Sequence, residues 1–326
     1  MKKTHSKFKR HIQICSCVFS TLFIAGCTNP GSPPVTPTFE YIAIESTNAN
    51  TPAGDCNIWN LNIEPPGMSL PTFKRTDTFN GELTTHVTVH QSSAYNKLNQ
   101  IYLVSTDERV VRYDLSTTIP AAPTVFTISN IQAMEFVGTR LFMIVNNYLK
   151  EFDPVSMTQL SSFTPRHVGS VNYTGYISNM TSKSGVLYFI VGGSLLSYDT
   201  NITASTLLVL NSNLPVNASG TFKYDGLEVI DGNTFFVVKR DTTNDLLKVT
   251  STTSTMVLAN VTGNNPTYDR LSSAYDYTTE FYYINTYLPS TNQTSIIGVD
   301  VTPASSVFTS SIATVNNYIF GLQLKD

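Results

Sequence analysis

Cysteine is scarce in this 326-residue chain, with four in all. Cys15 and Cys17 lie in the first 26 residues, Cys27 follows directly, and only Cys56 lies in the body. A lone Cys56 excludes an intrachain disulfide framework, so the body depends on its apolar core, which a chain of this length can supply. Trp59 is the only tryptophan, which excludes a blade motif built on several. Charged residues make up just 13% of the chain and no basic patch stands out, so nucleic acid is excluded as a partner. Several chemical signatures are missing: a Gly-x-Ser-x-Gly elbow, His-Glu-x-x-His, a glycine-rich phosphate loop and an EF-hand. Asp269 to Glu280 has the length of a calcium loop but carries Ala274 where that loop needs glycine. The expectation is therefore no catalytic residue, no metal and no cofactor. Stretches of helical period are lacking beyond the N-terminus.

What fills the chain instead is Ser, Thr and Asn between short apolar runs, a composition of strands and bends. Leu187-Tyr188-Phe189-Ile190-Val191 leads through Gly192-Gly193 to Ser194-Leu195-Leu196-Ser197-Tyr198-Asp199. Gly-Gly between two β-rich runs signals a two-residue hairpin, because the turns that match strand twist need positive φ. The same unit recurs at Tyr41–Asn62, Ile101–Asp114, Leu141–Asp153, Phe235–Thr250 and Phe281–Asp300. Its period is roughly 40–50 residues, that of a propeller blade. A further strand precedes each later hairpin: Ser92–Tyr95, Met134–Val137, Ser178–Thr181, Gly226–Val229 and Ser272–Tyr275. Gly321–Leu324 matches Gly226–Val229 but has no hairpin after it, while the first hairpin has no strand before it. Joining the ends completes one blade and removes two free edges. The expected fold is all-β, a single β-propeller over residues 39–326, with six four-stranded blades and the C-terminal strand closing the first.

The N-terminus reads differently. Lys2, Lys3, Lys7, Lys9 and Arg10 precede a mostly apolar run from Ile12 to Ile24. That run is about two-thirds of the length a spanning helix needs, so it reads as an export signal rather than an anchor helix. It ends in Ile24-Ala25-Gly26-Cys27, which resembles the lipobox of bacterial lipoproteins. The resemblance implies a signal peptide over 1–26, cleavage before Cys27, and acylation of that cysteine. Two or more acyl chains give stable membrane attachment where one does not. Thr28 in place of Asp leans towards the outer membrane of a Gram-negative envelope. Pro30, Pro33, Pro34 and Pro37 make 27–38 the acylated cysteine plus a semi-extended tether. A lipobox ahead of a hairpin repeat is similar to bacterial envelope lipoproteins that carry a β-propeller.

Few residues in the body invite a chemical role. Asp114, Asp153, Asp199 and Asp300 close their hairpins and are expected to cap the exit turns. Glu135, Glu228 and Gln323 fall in one column of the innermost strands, with Ala94, Met180 and Ala274 at the equivalent places. They are the candidate channel-lining residues, and two carboxylates and an amide fall short of the full oxygen shell a divalent ion needs. His86 and His90 share a strand face at about 13 Å, too far apart to hold one ion by themselves. The leading expectation is a non-catalytic propeller that binds a protein or glycan at the cell envelope, using the excursions Ser46–Cys56 and Thr286–Thr294. The alternatives are a lactonase-like, metal-dependent hydrolase using Glu135 and Glu228, and a carbohydrate-binding propeller.

Overall fold

The chain divides into two units, Met1–Pro37 and Thr38–Asp326. A computed structural model describes residues 39–46, 54–64, 67–68, 72–79, 92–105, 109–116, 123–169, 176–217, 220–241, 243–261, 271–278, 280–288, 293–301, 309–315 and 318–324. The signal peptide, the tether, Cys27 and the His86/His90 pair lie outside the described residues. No helix among the described residues is long and apolar enough to cross a membrane.

The described chain is all-β, a propeller arrangement of small antiparallel sheets. The first contains β1 (Phe39–Ser46), β2 (Gly54–Glu64), β3 (Gly67–Met68) and β4 (Thr72–Phe79). The second runs β5 (Ser92–Asn96), β6 (Ile101–Ser105), β7 (Arg109–Asp114) and β8 (Thr124–Thr127). The third is β9 (Ile131–Val137), β10 (Arg140–Val145), β11 (Tyr148–Phe152) and β12 (Arg166–His167). Next come β13 (Thr181–Lys183), β14 (Val186–Val191), β15 (Ser194–Asp199) and β16 (Leu208–Asn211). The fifth is β17 (Tyr224–Val229), β18 (Phe235–Lys239), β19 (Asp245–Val249) and β20 (Ser254–Leu258). Then follow β21 (Ser273–Asp276), β22 (Phe281–Leu288), β23 (Gln293–Asp300) and β24 (Thr309–Val315). The last strand, β25 (Tyr318–Leu324), pairs antiparallel with β1, with Tyr41 opposite Leu324 and Ser46 opposite Tyr318. The innermost strands neighbour one another in the order β5, β9, β13, β17, β21, β25, and β25 returns to β5.

Five sheets are four-stranded, but the sheet that holds both chain ends has five strands, which corrects the expectation of uniform blades. Its second strand is the reason. At eleven residues, β2 is too long for one partner: Gly54–Asn60 pair with β4, and Ile63 and Glu64 pair with the two residues of β3.

The continuous apolar runs follow from burial on both sheet faces. In β14, Leu187, Phe189 and Val191 pack with Phe142 and Ile144 of β10, whereas Tyr188 and Ile190 pack with Phe235 and Val237 of β18. Strand alternation sends successive side chains to opposite faces, so a strand sandwiched between two sheets is apolar at every position. Leu141 and Met143 face the β5–β8 sheet, and Phe236 and Val238 face Tyr282 and Ile284. The β14–β15 turn has the positive φ that its glycines permit, 51° at Gly192 and 82° at Gly193. A Cβ on Gly193 would collide with the Phe222 ring. Asn146 and Asn147 adopt the same left-handed turn between β10 and β11. The hairpin-closing Asp residues cap as expected: Asp114, Asp153 and Asp199 each accept the backbone N–H two residues on, at 3.0, 3.1 and 2.9 Å.

Candidate functional site

Glu135 on β9, Glu228 on β17 and Gln323 on β25 each reach a hydroxyl of the next innermost strand. Ser182 Oγ lies 2.9 Å from Glu135 Oε1, and Ser273 Oγ lies 2.6 Å from Glu228 Oε1. Gln323 Nε2 donates to Ser93 Oγ at 3.1 Å and to the Ser93 carbonyl at 3.2 Å. Both carboxyls keep partial accessibility, yet each is deep enough that loss of solvation dominates its acidity. Burial pushes Glu135 up to about 8, opposed by the Ser182 hydrogen bond and reinforced by the negative charge of Glu228. Burial pushes Glu228 up to about 7, opposed by hydrogen bonds from Ser273 and Thr181.

The other three residues assigned to the column do not meet its polar members. Ala94, Met180 and Ala274 are buried, the first two within apolar clusters. The hydroxyls that meet the column are Ser93, Ser273 and Ser182 instead. Pleating explains two of these directly. Ser93 and Ser273 stand one residue from Ala94 and Ala274, and adjacent side chains point to opposite faces.

Two of these seams are built alike. Gly226 and Gly321 have φ of 64° and 69° and sit at register shifts in β17 and β25. The Tyr282 hydroxyl donates to the Gly226 carbonyl at 2.5 Å, and the Tyr102 hydroxyl to the Gly321 carbonyl at 2.5 Å. A Cβ on either glycine would run into that tyrosine oxygen and press on Ser273 or Ser93. Glycine is therefore required twice over, by φ and by space.

At the opposite end of β17 lies a buried ion pair that sequence reasoning missed. Arg240 Nη1 meets Asp225 Oδ2 at 2.5 Å, and both side chains are almost fully buried. Asp225 also accepts from the Tyr176 hydroxyl and from the Leu271 backbone N–H. Lys223 stands over the Tyr176 ring at 5.6 Å. The available signal was the Lys239-Arg240 pair directly after the apolar run Phe235–Val238. The cluster ties together Tyr176 ahead of β13, Lys223 ahead of β17 and Leu271 ahead of β21. The expected binding excursions are shorter than the sequence suggested. β1 runs to Ser46 and β2 starts at Gly54, while β22 runs to Leu288 and pairs directly with Gln293.

No group of three or more His, Cys, Asp or Glu side chains that could hold a metal occurs among the described residues. Glu135 and Glu228 are each bonded to a serine. His167 is exposed on β12 and packs edge-on against Tyr148 at 4.9 Å.

No family model and no curated protein matches the sequence. Among solved structures, the extracellular domain of BT4673 from B. thetaiotaomicron is similar over 82% of this chain, at 12% identity and a TM-score of 0.47. This chain covers 33% of that one, so it spans about a third of its length. KlHsv2 is similar over 84% of this chain and 99% of its own, at 7% identity and a TM-score of 0.45. Glutaminyl cyclase of Myxococcus xanthus is similar over 61% of this chain and 86% of its own, at 15% identity and a TM-score of 0.39. These values carry no activity over to this chain.

Proposed function

We propose that this chain is an exported lipoprotein whose six sheets form a six-bladed propeller, acylated at Cys27 and displayed on the outer membrane of a Gram-negative envelope. Its role is non-catalytic: it binds a protein or glycan partner through the connections at the Asp225–Arg240 end. One observation carries the reading. The polar side chains of the innermost strands bond to their neighbours, as at Glu135–Ser182, Glu228–Ser273 and Gln323–Ser93. Rigid strands joined by long connections at one end are a scaffold on which loops present a binding surface. Val216, in one of those connections, is 45% exposed and is available to a partner.

Labelling cells with a palmitate analogue tests the anchor. The full chain is expected to take up label and sediment with membranes, and Cys27→Ser to lose both. An unlabelled wild-type chain would overturn the lipoprotein reading. Crosslinking in native membranes tests the binding end, with Val216→Asp expected to lose the partners that the wild type captures. Equal capture by both would remove this end as the binding surface.

A further inference from the structure

Ser182 Oγ stands between two oxygens, Glu135 Oε1 at 2.9 Å and the Phe136 carbonyl at 3.0 Å. A hydroxyl has one proton to give, and a carbonyl oxygen only accepts. With Glu135 ionised, two acceptors compete for that single proton. With Glu135 neutral, its own O–H donates to Ser182 Oγ, and Ser182 donates to the Phe136 carbonyl, so every group is satisfied. The equivalent seam at β25 shows the same polarity. There Gln323 Nε2 lies 3.2 Å from the Ser93 carbonyl, which only accepts, so the amide N–H₂ is the group that faces Ser93 Oγ.

We propose that Glu135 is a neutral carboxylic acid that donates to Ser182, a proton-held clasp between the β9 and β13 sheets that loosens when the proton leaves. Glu228 is the neighbour that sets when this happens. It accepts from two hydroxyls, Ser273 and Thr181, so its ionised form is better supplied, and its charge then opposes ionisation of Glu135. The other titratable groups that feel the pair are the phenols of Tyr277 and Tyr282. Lys183 follows Ser182, but its ammonium is held over the Tyr277 ring at 4.0 Å and by the Ile230 carbonyl. Among the described residues no ammonium or guanidinium pairs with Glu135, and the geometry favours its proton instead.

The sign follows from linkage. The folded state holds this proton more tightly than an unfolded chain, whose glutamates titrate near 4.5. The stability it contributes is then complete below about pH 4.5, falls as pH rises from there, and is lost once pH passes the folded value of about 8. The test is thermal melting of the full chain from about pH 5.5 to about pH 9. The wild type is expected to lose roughly 5 °C between about pH 5.5 and about pH 8, and Glu135→Gln, which keeps an N–H donor towards Ser182, to lose little of its Tm over that range. An identical fall in wild type and Glu135→Gln would overturn the proposal. Gln323→Glu gives an arm that does not require the first variant to fold. A second buried acid at the matching seam should steepen the fall, and an unchanged slope would count against a donor-dependent clasp.

Discussion

Asp225-Gly226-Leu227-Glu228 on β17 and Phe320-Gly321-Leu322-Gln323 on β25 occupy the same place in two sheets. Both use a left-handed glycine whose carbonyl takes a tyrosine hydroxyl at 2.5 Å, and both end on a side chain bonded to the serine of a Ser-Ser-Ala-Tyr strand. They differ in charge. The β17 copy carries two carboxyls, one neutralised by Arg240 and one held towards its protonated form. The β25 copy, where the last strand joins the first sheet, carries none. The seam formed by the last strand therefore has no ion pair to maintain, while the internal seam has a buried one beside a second carboxyl.

The largest expected effect breaks this contrast at its ion pair. Arg240→Leu leaves Asp225 buried without its cation and should cost roughly 3–5 kcal/mol, read by urea unfolding. The β25 seam has no such pair to lose. Gly226→Ala and Gly321→Ala strike the shared part. Each forces a Cβ against a buried tyrosine oxygen at positive φ, with an expected loss of about 2 kcal/mol. Similar losses would support one clasp built twice, and a loss at only one glycine would separate the two seams. Tyr282→Phe and Tyr102→Phe each strip one hydrogen bond from a glycine carbonyl and should cost about 1 kcal/mol. A smaller effect is expected at the hairpin exits. Asp199→Ala removes the acceptor for the Asn201 N–H and should cost about 0.5 kcal/mol, with no change at either seam.

Much of this fold could be read from the residues. Two-residue turns such as Gly192-Gly193 and Asn146-Asn147 declare themselves locally, because few residues tolerate positive φ. The match between Gly226–Val229 and Gly321–Leu324 pointed to the pairing of β25 with β1, since both glycines sit at the same register shift. What stayed hidden depends on neighbours in space. Whether Ala94 or Ser93 meets Gln323 turns on one residue of pleat, and periodicity alone leaves that choice open. Arg240 finds Asp225 across a hairpin, and Tyr176 reaches the same carboxylate from another sheet. The fifth strand of the first sheet arises from the length of β2, which a repeat period does not report.

The most direct measurement is a carbon-13 NMR titration of the glutamate side-chain carboxyls in the unmodified full chain, with the Glu135 signal assigned by its loss in Glu135→Gln. The Glu135 carboxyl is expected to remain protonated through neutral pH, with a midpoint near 8 and a second inflection where Glu228 ionises. A Glu135 signal that titrates completely near the ordinary glutamate value of 4.5 would contradict the account.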